Sequence, residues 1–543
     1  MFTMFSYKIS EKQILLAIIL FGALLRFWGL GSAEFFHDEG LFAFRSIGYL
    51  DYIQNDNQTT PVQWFTNQSQ LPWWTSLSFH DHPPLFFIIQ QISFNLFGDS
   101  FFAARLPSAV SGILAIYLVY LILKRFFVNP AAPLFAAFLL SISSIHIWIS
   151  RSSLLEAFQL FLILLNIYYF FRFLDDQRQW RLFGLTLGLA FLTKYTSIFL
   201  VPAYGFYLLI FQRDIYKKQN FYLALGLAAI LFSPVLIYNF YLWETIGHFD
   251  LQFSYLFSQA TPEWQALLGK TQDPFSNILK NLIFMYSLPF LLLAMAGIGY
   301  ATYKNFNSRT SFYIFWLLNF IFITLMLVKV GSAFRFIVLY AVPAIMLIAA
   351  LFDYLFSKFH KEVLFRILLA VFLAYELFFA LSIFSTFPNF GIVQLDKYLN
   401  SEFRNARSLA IPVSPNPHLN DIIQDYALKI PAADNPIMII YDENISLSPR
   451  LWLFTRRNYY HGIPAVTVDQ FKKFSREQGI AGFQGYDFYF IKASDKTYLN
   501  PLYFNPAGQE LEVFLQQELN LSANKMIYGY NNFLMFTIYK FSL

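Results

Sequence analysis

The chain has 543 residues, of which 57% are hydrophobic, 21% aromatic and 13% charged, with a net charge of +5 and a mean hydropathy of +0.47. A single soluble core stops growing at a few hundred residues, so a soluble fold could not bury this much apolar surface. The composition therefore excludes a soluble enzyme, a disordered chain and a nucleic-acid-binding protein, and it predicts an α-helical polytopic membrane protein. The absence of cysteine excludes disulfides, thiolate metal sites and cysteine nucleophiles.

Apolar segments that could cross the hydrocarbon layer, which takes about 20 residues each, number about eleven. They lie near residues 13–31, 104–123, 131–149, 153–171, 182–193, 196–211, 221–240, 277–300, 311–328, 335–356 and 365–386. No small-residue cleavage site follows the first segment, so we expect a retained first span rather than a cleaved signal peptide. The apolar stretch 84–98 is too short to span and is predicted to form an interfacial helix.

The basic residues between these segments predict the orientation of the chain. They fall in alternate loops, at Lys124/Arg125, Arg172/Arg178/Arg181, Arg213/Lys217/Lys218, Lys304/Arg309 and Lys358/Lys361. Because cytoplasmic loops carry an excess of Lys and Arg, the N-terminus is predicted to be cytoplasmic. The loops 32–83 and 241–276, which are nearly free of Lys, are then outside, and so is the segment after residue 388. The protein as a whole is expected in the cell (inner or plasma) membrane.

The C-terminal segment differs in composition from the rest. Residues 389–543 contain no apolar run of spanning length, and 436–441, 487–491 and 533–539 have the pattern of strands, whereas 511–519 has helical spacing. We therefore predict a membrane module over residues 1–388 and a small extracytoplasmic α/β domain over residues 389–543.

Several charged residues are not needed by this topology and fall toward its outer face. Charges in or at the ends of spans cost a few kcal/mol each and usually line a polar cavity. Together they predict an outward-facing site for an anionic substrate, formed by Asp38, Glu39, His82, Arg105, Arg151, Glu156, Lys194 and Arg335.

Each of these residues also has an ordinary structural interpretation. The pair Asp38-Glu39 could be a polar loop entry, and Arg151 and Lys194 could be cations that snorkel from the end of a span. The sequence His80-Asp81-His82 could hold a metal, although no third ligand is evident nearby.

The motifs occur in a recognisable order along residues 10–355. They are Asp38-Glu39, then His82-Pro83-Pro84-Leu85, then Phe97-Gly98-Asp99-Ser100 through Arg105-Leu106-Pro107-Ser108-Ala109, followed by Ser150-Arg151 to Glu156, Thr193-Lys194 and Arg335-Phe336. This set resembles the lipid-phosphosugar-dependent glycosyltransferases of the C superfamily (GT-C), chiefly the protein O-mannosyltransferase and lipid A aminoarabinose transferase groups. Leu41 and His82 stand where the aminoarabinose group has Arg and Lys, so the His-Pro-Pro-Leu form is nearer the mannosyltransferases.

The resemblance implies a GT-C fold and a membrane glycosyltransferase, either hexosyl- or pentosyltransferase. Such an enzyme moves a monosaccharide from a polyprenyl-phosphate donor in the bilayer to a lipid, glycan or protein hydroxyl outside, with inversion. Asp38 of the catalytic pair Asp38-Glu39 would be the base, and Glu39 and Glu156 would hold the cations. No nucleic-acid partner and no cofactor are expected, although the residues are also compatible with a bound divalent metal. The donor phosphate would be bound by His82, Arg105, Arg151, Lys194 and Arg335.

Two other classes of function use the same charges differently. A membrane transporter or lipid flippase would use them as a substrate path, and it predicts inverted repeats, which the sequence does not display. A non-enzymatic membrane scaffold for the outer domain would tolerate their loss.

Overall fold

The computed structural model describes residues 10–36, 38–52, 59–259, 261, 274–303, 310–385, 389–403, 405–495, 497 and 504–542. The predicted boundary at residue 388 and the predicted inner-loop residues Lys304 and Arg309 lie outside the described residues. The chain forms two compact units, each assembled from three stretches of sequence. The first unit contains Met1–Leu30, Leu77–Ile89 and Arg105–Thr386, and the second contains Gly31–Ser76, Gln90–Ala104 and Phe387–Leu543.

The first unit is built from apolar helices, and every predicted span overlaps one or two of them. Their bounds are Glu11–Phe27, Phe101–Phe126, Ala131–Ile142, Ser144–Ser150, Leu155–Asp175, Trp180–Thr193, Leu200–Phe211, Gln219–Ile246, Leu251–Leu256, Pro274–Met285, Leu288–Tyr303, Thr310–Val330, Ala341–Phe359 and Val363–Ser385. The 3₁₀ turns Tyr195–Phe199 and Phe334–Tyr340 lead into two of these helices.

Within the described residues, six helices are long and apolar enough to cross a membrane, or up to eight if each of two bent pairs is one span. The other segments predicted to span form shorter helices, such as Glu11–Phe27 and Trp180–Thr193. The count of about eleven spans therefore stays a prediction. The short apolar stretch after Pro84 forms the helix Leu85–Phe97, and its interfacial position also stays a prediction.

Close helix contact in the first unit depends on small residues. The helices Trp180–Thr193 and Gln219–Ile246 pack so closely that a Cβ atom at Gly184 would meet the backbone of Ala224. Association inside a bilayer lacks a hydrophobic drive, and small residues let helix backbones approach closely. This packing fixes the end of the helix Trp180–Thr193, where Lys194 follows.

The second unit contains a five-stranded sheet with the order β2-β1-β3-β5-β4. The strands are β1 (Ile437–Tyr441), β2 (Ala465–Thr467), β3 (Asp487–Ala493), β4 (Lys525–Tyr528) and β5 (Leu534–Ser542). Strand β1 pairs in parallel with β2 and β3, whereas β5 is antiparallel to β3 and β4. The helices that lie wholly in this unit are Glu39–Gly48, Pro61–Trp64, Ile392–Glu402, Pro417–Tyr426, Leu447–Arg450, Arg456–Tyr460, Val468–Gln478 and Ala507–Gln517.

The core of the second unit includes residues far from the C-terminal segment in sequence. Phe35 and Phe101 pack on the buried indole of Trp452, at ring-centroid distances of 4.8 and 5.4 Å. Residues 31–76 and 90–104 thus share one hydrophobic core with residues 387–543. The compact units therefore divide the chain differently from the predicted domains, because aromatic side chains of the predicted outer loop are buried in this core.

Candidate functional site

Three charged side chains of the first unit lie where apolar helices begin or end. Glu156 is in the first turn of its helix, Lys194 directly follows the end of its helix in an extended conformation, and Arg335 is in a 3₁₀ turn. An acid at a helix N-terminus and a cation at a C-terminus complement the helix dipole. The local sequence therefore favours these charges at these ends.

These three side chains form one buried cluster, which we call the carboxylate–cation cluster. The Lys194 Nζ lies 2.5 Å from Glu156 Oε1, and the Arg335 Nε lies 3.1 Å from the same oxygen. The side chains are 7%, 2% and 16% exposed for Lys194, Glu156 and Arg335. Two cations thus contact one carboxylate oxygen in a place that is largely shielded from water.

The second carboxylate oxygen of Glu156 is buried and has no hydrogen-bond partner among the residues that the structure describes. An aromatic ring lies against both cations: the Phe336 centroid is 4.0 Å from Lys194 Nζ and 5.3 Å from Arg335 Cζ. A cation over an aromatic face is stabilised by the ring quadrupole. The ring thereby stabilises both cations where water is scarce.

His82 lies in the electrostatic field of this cluster. Burial lowers the pKa of His82, the neighbouring Asp81 opposes that shift, and the positive charges of Lys194 and Arg335 add to it. The Nδ1 atom of His82 lies 3.1 Å from Asp81 Oδ1. A neutral imidazole at neutral pH can offer a ligand one hydrogen bond without adding another charge.

A second polar group adjoins Lys194 and was not predicted from the sequence. The Tyr195 hydroxyl donates to Asp250 Oδ2 over 2.5 Å, and Asn239 Nδ2 donates to the same oxygen over 3.1 Å. The backbone N–H of Leu251 donates to the carbonyl of His80 over 2.7 Å, so this loop is tied to the segment that carries His82. The N-cap position of Asp250 before Leu251–Leu256 was the available signal, because Asp favours helix N-caps.

Arg151 and Arg105 lie against the end of the first helix. Arg151 Nη1 donates to the carbonyls of Leu25 at 2.9 Å and Trp28 at 2.7 Å. Arg105 Nη1 donates to the carbonyl of Leu30 at 3.0 Å. These contacts satisfy carbonyls that a helix end leaves without intrahelical partners. A role for them in donor binding stays a prediction.

Asp38 and Glu39 belong to the second unit. Asp38 is half-buried at the residue before the helix Glu39–Gly48. Glu39 is buried, and its Oε2 accepts a hydrogen bond of 2.7 Å from the Phe36 backbone N–H. This contact fixes the acidic side chain beside the helix start, where Asp38 remains partly accessible.

The described residues contain no group of three or more His, Asp or Glu side chains that could hold a metal ion. The alternative metal interpretation of the His80-Asp81-His82 sequence therefore gains no support from their arrangement. The expectation about cofactors stays a prediction.

Residues 81–238 match the family described as dolichyl-phosphate-mannose-protein mannosyltransferase. The putative mannosyltransferase YkcB of Bacillus subtilis (strain 168) is 29% identical over 153 residues, which are 28% of this chain and 21% of YkcB. The chain thus matches about a fifth of the length of that curated relative.

Two solved structures share the fold of nearly the whole chain. ArnT from Cupriavidus metallidurans, solved with undecaprenyl phosphate, has a TM-score of 0.53 at 12% identity, covering 98% of this chain and 97% of ArnT. The archaeal oligosaccharyltransferase AglB from Archaeoglobus fulgidus, solved with an inhibitory peptide and a dolichol-phosphate, has a TM-score of 0.52 at 14% identity, covering 89% of this chain and 69% of AglB. At these identities the likeness is one of fold.

The apolar helices and these neighbours identify an integral membrane protein. Its residues 81–238 match the mannosyltransferase family and its fold is shared with ArnT and AglB, which confirms the resemblance that the ordered motifs predicted.

Proposed function

We propose that this protein is a membrane glycosyltransferase that moves a monosaccharide from a polyprenyl-phosphate donor to an acceptor hydroxyl. The observation that carries the proposal is the carboxylate–cation cluster, in which Lys194 and Arg335 share the single carboxylate of Glu156. Ionised side chains among membrane helices are costly and mark substrate sites, and two buried cations around one carboxylate attract an anionic ligand. A lipid phosphate has the required charge, and its prenyl chain suits a surface of apolar helices.

In the proposed reaction the acceptor oxygen attacks the anomeric carbon while the bond from that carbon to the phosphate oxygen breaks, with inversion. Asp38 accepts the hydroxyl proton, and the electron pair leaves with the lipid phosphate. An ordinary carboxylate has a pKa of about 4, so it removes this proton only as the hydroxyl becomes acidic in the transition state. Lys194, Arg335 and a hydrogen bond from His82 stabilise the charge that develops on the phosphate.

The proposed site faces the outer side of the cell membrane, with the N-terminus in the cytoplasm. The acceptor is a hydroxyl of a lipid, a glycan or a protein. The fold neighbours support a lipid-linked donor, since ArnT was solved with undecaprenyl phosphate and AglB with a dolichol-phosphate.

The test is transfer by the purified protein in lipid nanodiscs supplied with a radiolabelled polyprenyl-phosphate sugar and total envelope acceptors. The wild type is expected to form a product with a new glycosidic bond, and D38N and K194Q are expected to lose that product. D214N is the matched control, because Asp214 pairs with Lys217 over 2.8 Å but is fully exposed. Full turnover by D38N would reject Asp38 as the base, and lipid movement across proteoliposomes without any new bond would favour a flippase.

A further inference from the structure

A polar cleft of about 820 Å³ opens in the second unit, within which all of its lining residues lie. Four parts of the chain meet there: the turn after the helix Leu85–Phe97, the C-terminal half of the helix Ile392–Glu402 with the residues that follow it, residues 429–431, and the helix Arg456–Tyr460 with His461. The turn brings Asp99 to the cleft, where the His461 Nε2 lies 2.7 Å from Asp99 Oδ2.

The acids of this region are already paired with cations beneath the cleft. Asp396 Oδ1 accepts from Arg456 and Arg457, each at 2.7 Å, and both arginines are buried. Burial favours the neutral form of Asp99, but His461 and Arg456 outweigh it and hold the pKa of that carboxyl well below its ordinary value. Asp99 is therefore charged and committed to its partners at neutral pH.

Two lysines at the rim of the cleft, by contrast, are not paired in this way. Lys397 and Lys429 are exposed in the cleft lining, and neither pairs with an acid among the residues that the structure describes. With Arg456 and Arg457 balanced against Asp396 and Asp99, the two lysines leave a formal excess of two positive charges. A ligand that enters this cleft gains most if it carries an anionic group.

The remaining lining residues offer neutral hydrogen-bonding groups and an aromatic side chain. Asn400, Ser401 and Asn405 are exposed there. Asn400 also donates to Asp396 and accepts from Arg457, and the Ser401 hydroxyl donates to the carbonyl of Tyr398, which leaves its oxygen as an acceptor. The half-buried Phe403 ring is held edge-on to Tyr489 at 4.8 Å between centroids. Amides and hydroxyls both donate and accept, as sugar hydroxyls require, and an aromatic surface suits the apolar C–H groups of a sugar ring.

We propose that this cleft is a binding site for a sugar that carries a phosphate or carboxylate group. The lysines at positions 397 and 429 bind the anion, and the amide and hydroxyl side chains beside Phe403 bind the ring. The site is separate from the carboxylate–cation cluster in residues and in chemistry, so this proposal does not depend on the proposed transfer reaction.

The test measures binding of four probes to the full-length protein in detergent micelles by saturation-transfer NMR and calorimetry. The probes are glucose 6-phosphate, glucuronate, glucose and inorganic phosphate. Glucose 6-phosphate, glucuronate or both are expected to bind more tightly than glucose and phosphate. K397Q/K429Q is expected to weaken that binding about tenfold or more, because each lost charge-assisted hydrogen bond weakens binding strongly.

K473Q is the matched control, since Lys473 is an exposed lysine of the same unit that lies outside the cleft. F403L tests the contribution of the aromatic ring separately. It is expected to weaken the binding of glucose 6-phosphate without affecting the binding of phosphate. Equal affinity for phosphate and glucose 6-phosphate would mean that the cleft recognises only the anionic group, and this result would overturn the proposal. It would also be overturned if neither anionic sugar binds, or if the K397Q/K429Q protein binds like K473Q, whatever the outcome of the transfer assay.

Discussion

The carboxylate–cation cluster predicts a large loss of stability when Glu156 alone is neutralised. E156Q keeps the shape of the side chain and an acceptor oxygen, but it removes the negative charge that both Lys194 and Arg335 contact. The Glu156 side chain is only 2% exposed, and removing one partner of a buried ion pair costs about 3–5 kcal/mol. For a large domain this corresponds to a fall in melting temperature of about 6 °C or more.

The assay is thermal unfolding of the purified protein in one detergent, followed by intrinsic fluorescence. E156Q/K194Q removes one charge of each sign, so it is expected to lose less stability than the sum of E156Q and K194Q. D214N breaks the exposed pair with Lys217 and is expected to have the same melting temperature as the wild type. The reasoning is refuted if E156Q also melts within about 1 °C of the wild type, or if the double variant is additive.

Three further predictions concern single residues. D38N is expected to lower the rate of transfer by about 10²–10⁴-fold while donor binding is unchanged; a wild-type rate in a single-turnover assay would contradict this. Burial raises the pKa of Asp250 to about 6, so the stability it contributes is full below its ordinary pKa of 3.8 and is lost as the pH rises through about 6. The melting temperature of the wild type minus that of D250N should therefore be smaller at pH 7.5 than at pH 5. An equal difference at both pH values would count against this. R151Q is expected to lower the melting temperature because it frees carbonyls at the end of the helix Glu11–Phe27, with R151K restoring part of the loss; no change in R151Q would exclude this capping role.

The sequence was informative about apolar helices because their signal is local and strong. Each predicted span overlaps helix, and the strands over 437–441 and 487–493 lie where the apolar runs 436–441 and 487–491 predicted buried strands. The three-residue strand Ala465–Thr467 was missed because so short a segment has no measurable periodicity. The charges at positions 156, 194 and 335 could be grouped because isolated charges among apolar residues require partners.

What the sequence could not provide is the pairing of distant segments. Nothing in the local pattern of Phe35 or Phe101 indicates that both pack against Trp452, because aromatic packing depends on shape rather than on spacing. The contact of Asp250 with Tyr195 likewise joins residues 55 positions apart. Arg151 shows the converse difficulty, since a cation at the end of a span has the same sequence signature whether it binds a ligand or caps a helix.

The central claim is that Lys194 and Arg335 bind the phosphate of a lipid-linked sugar, and equilibrium binding tests it most directly. Undecaprenyl phosphate is titrated into wild type, K194Q and E156Q in nanodiscs, with folding checked by circular dichroism. The account predicts that K194Q binds about tenfold more weakly or worse, because a charge-assisted contact is lost. E156Q, which is destabilised but keeps both cations, should bind at least as tightly as the wild type. Equal affinity for wild type and K194Q would contradict the account.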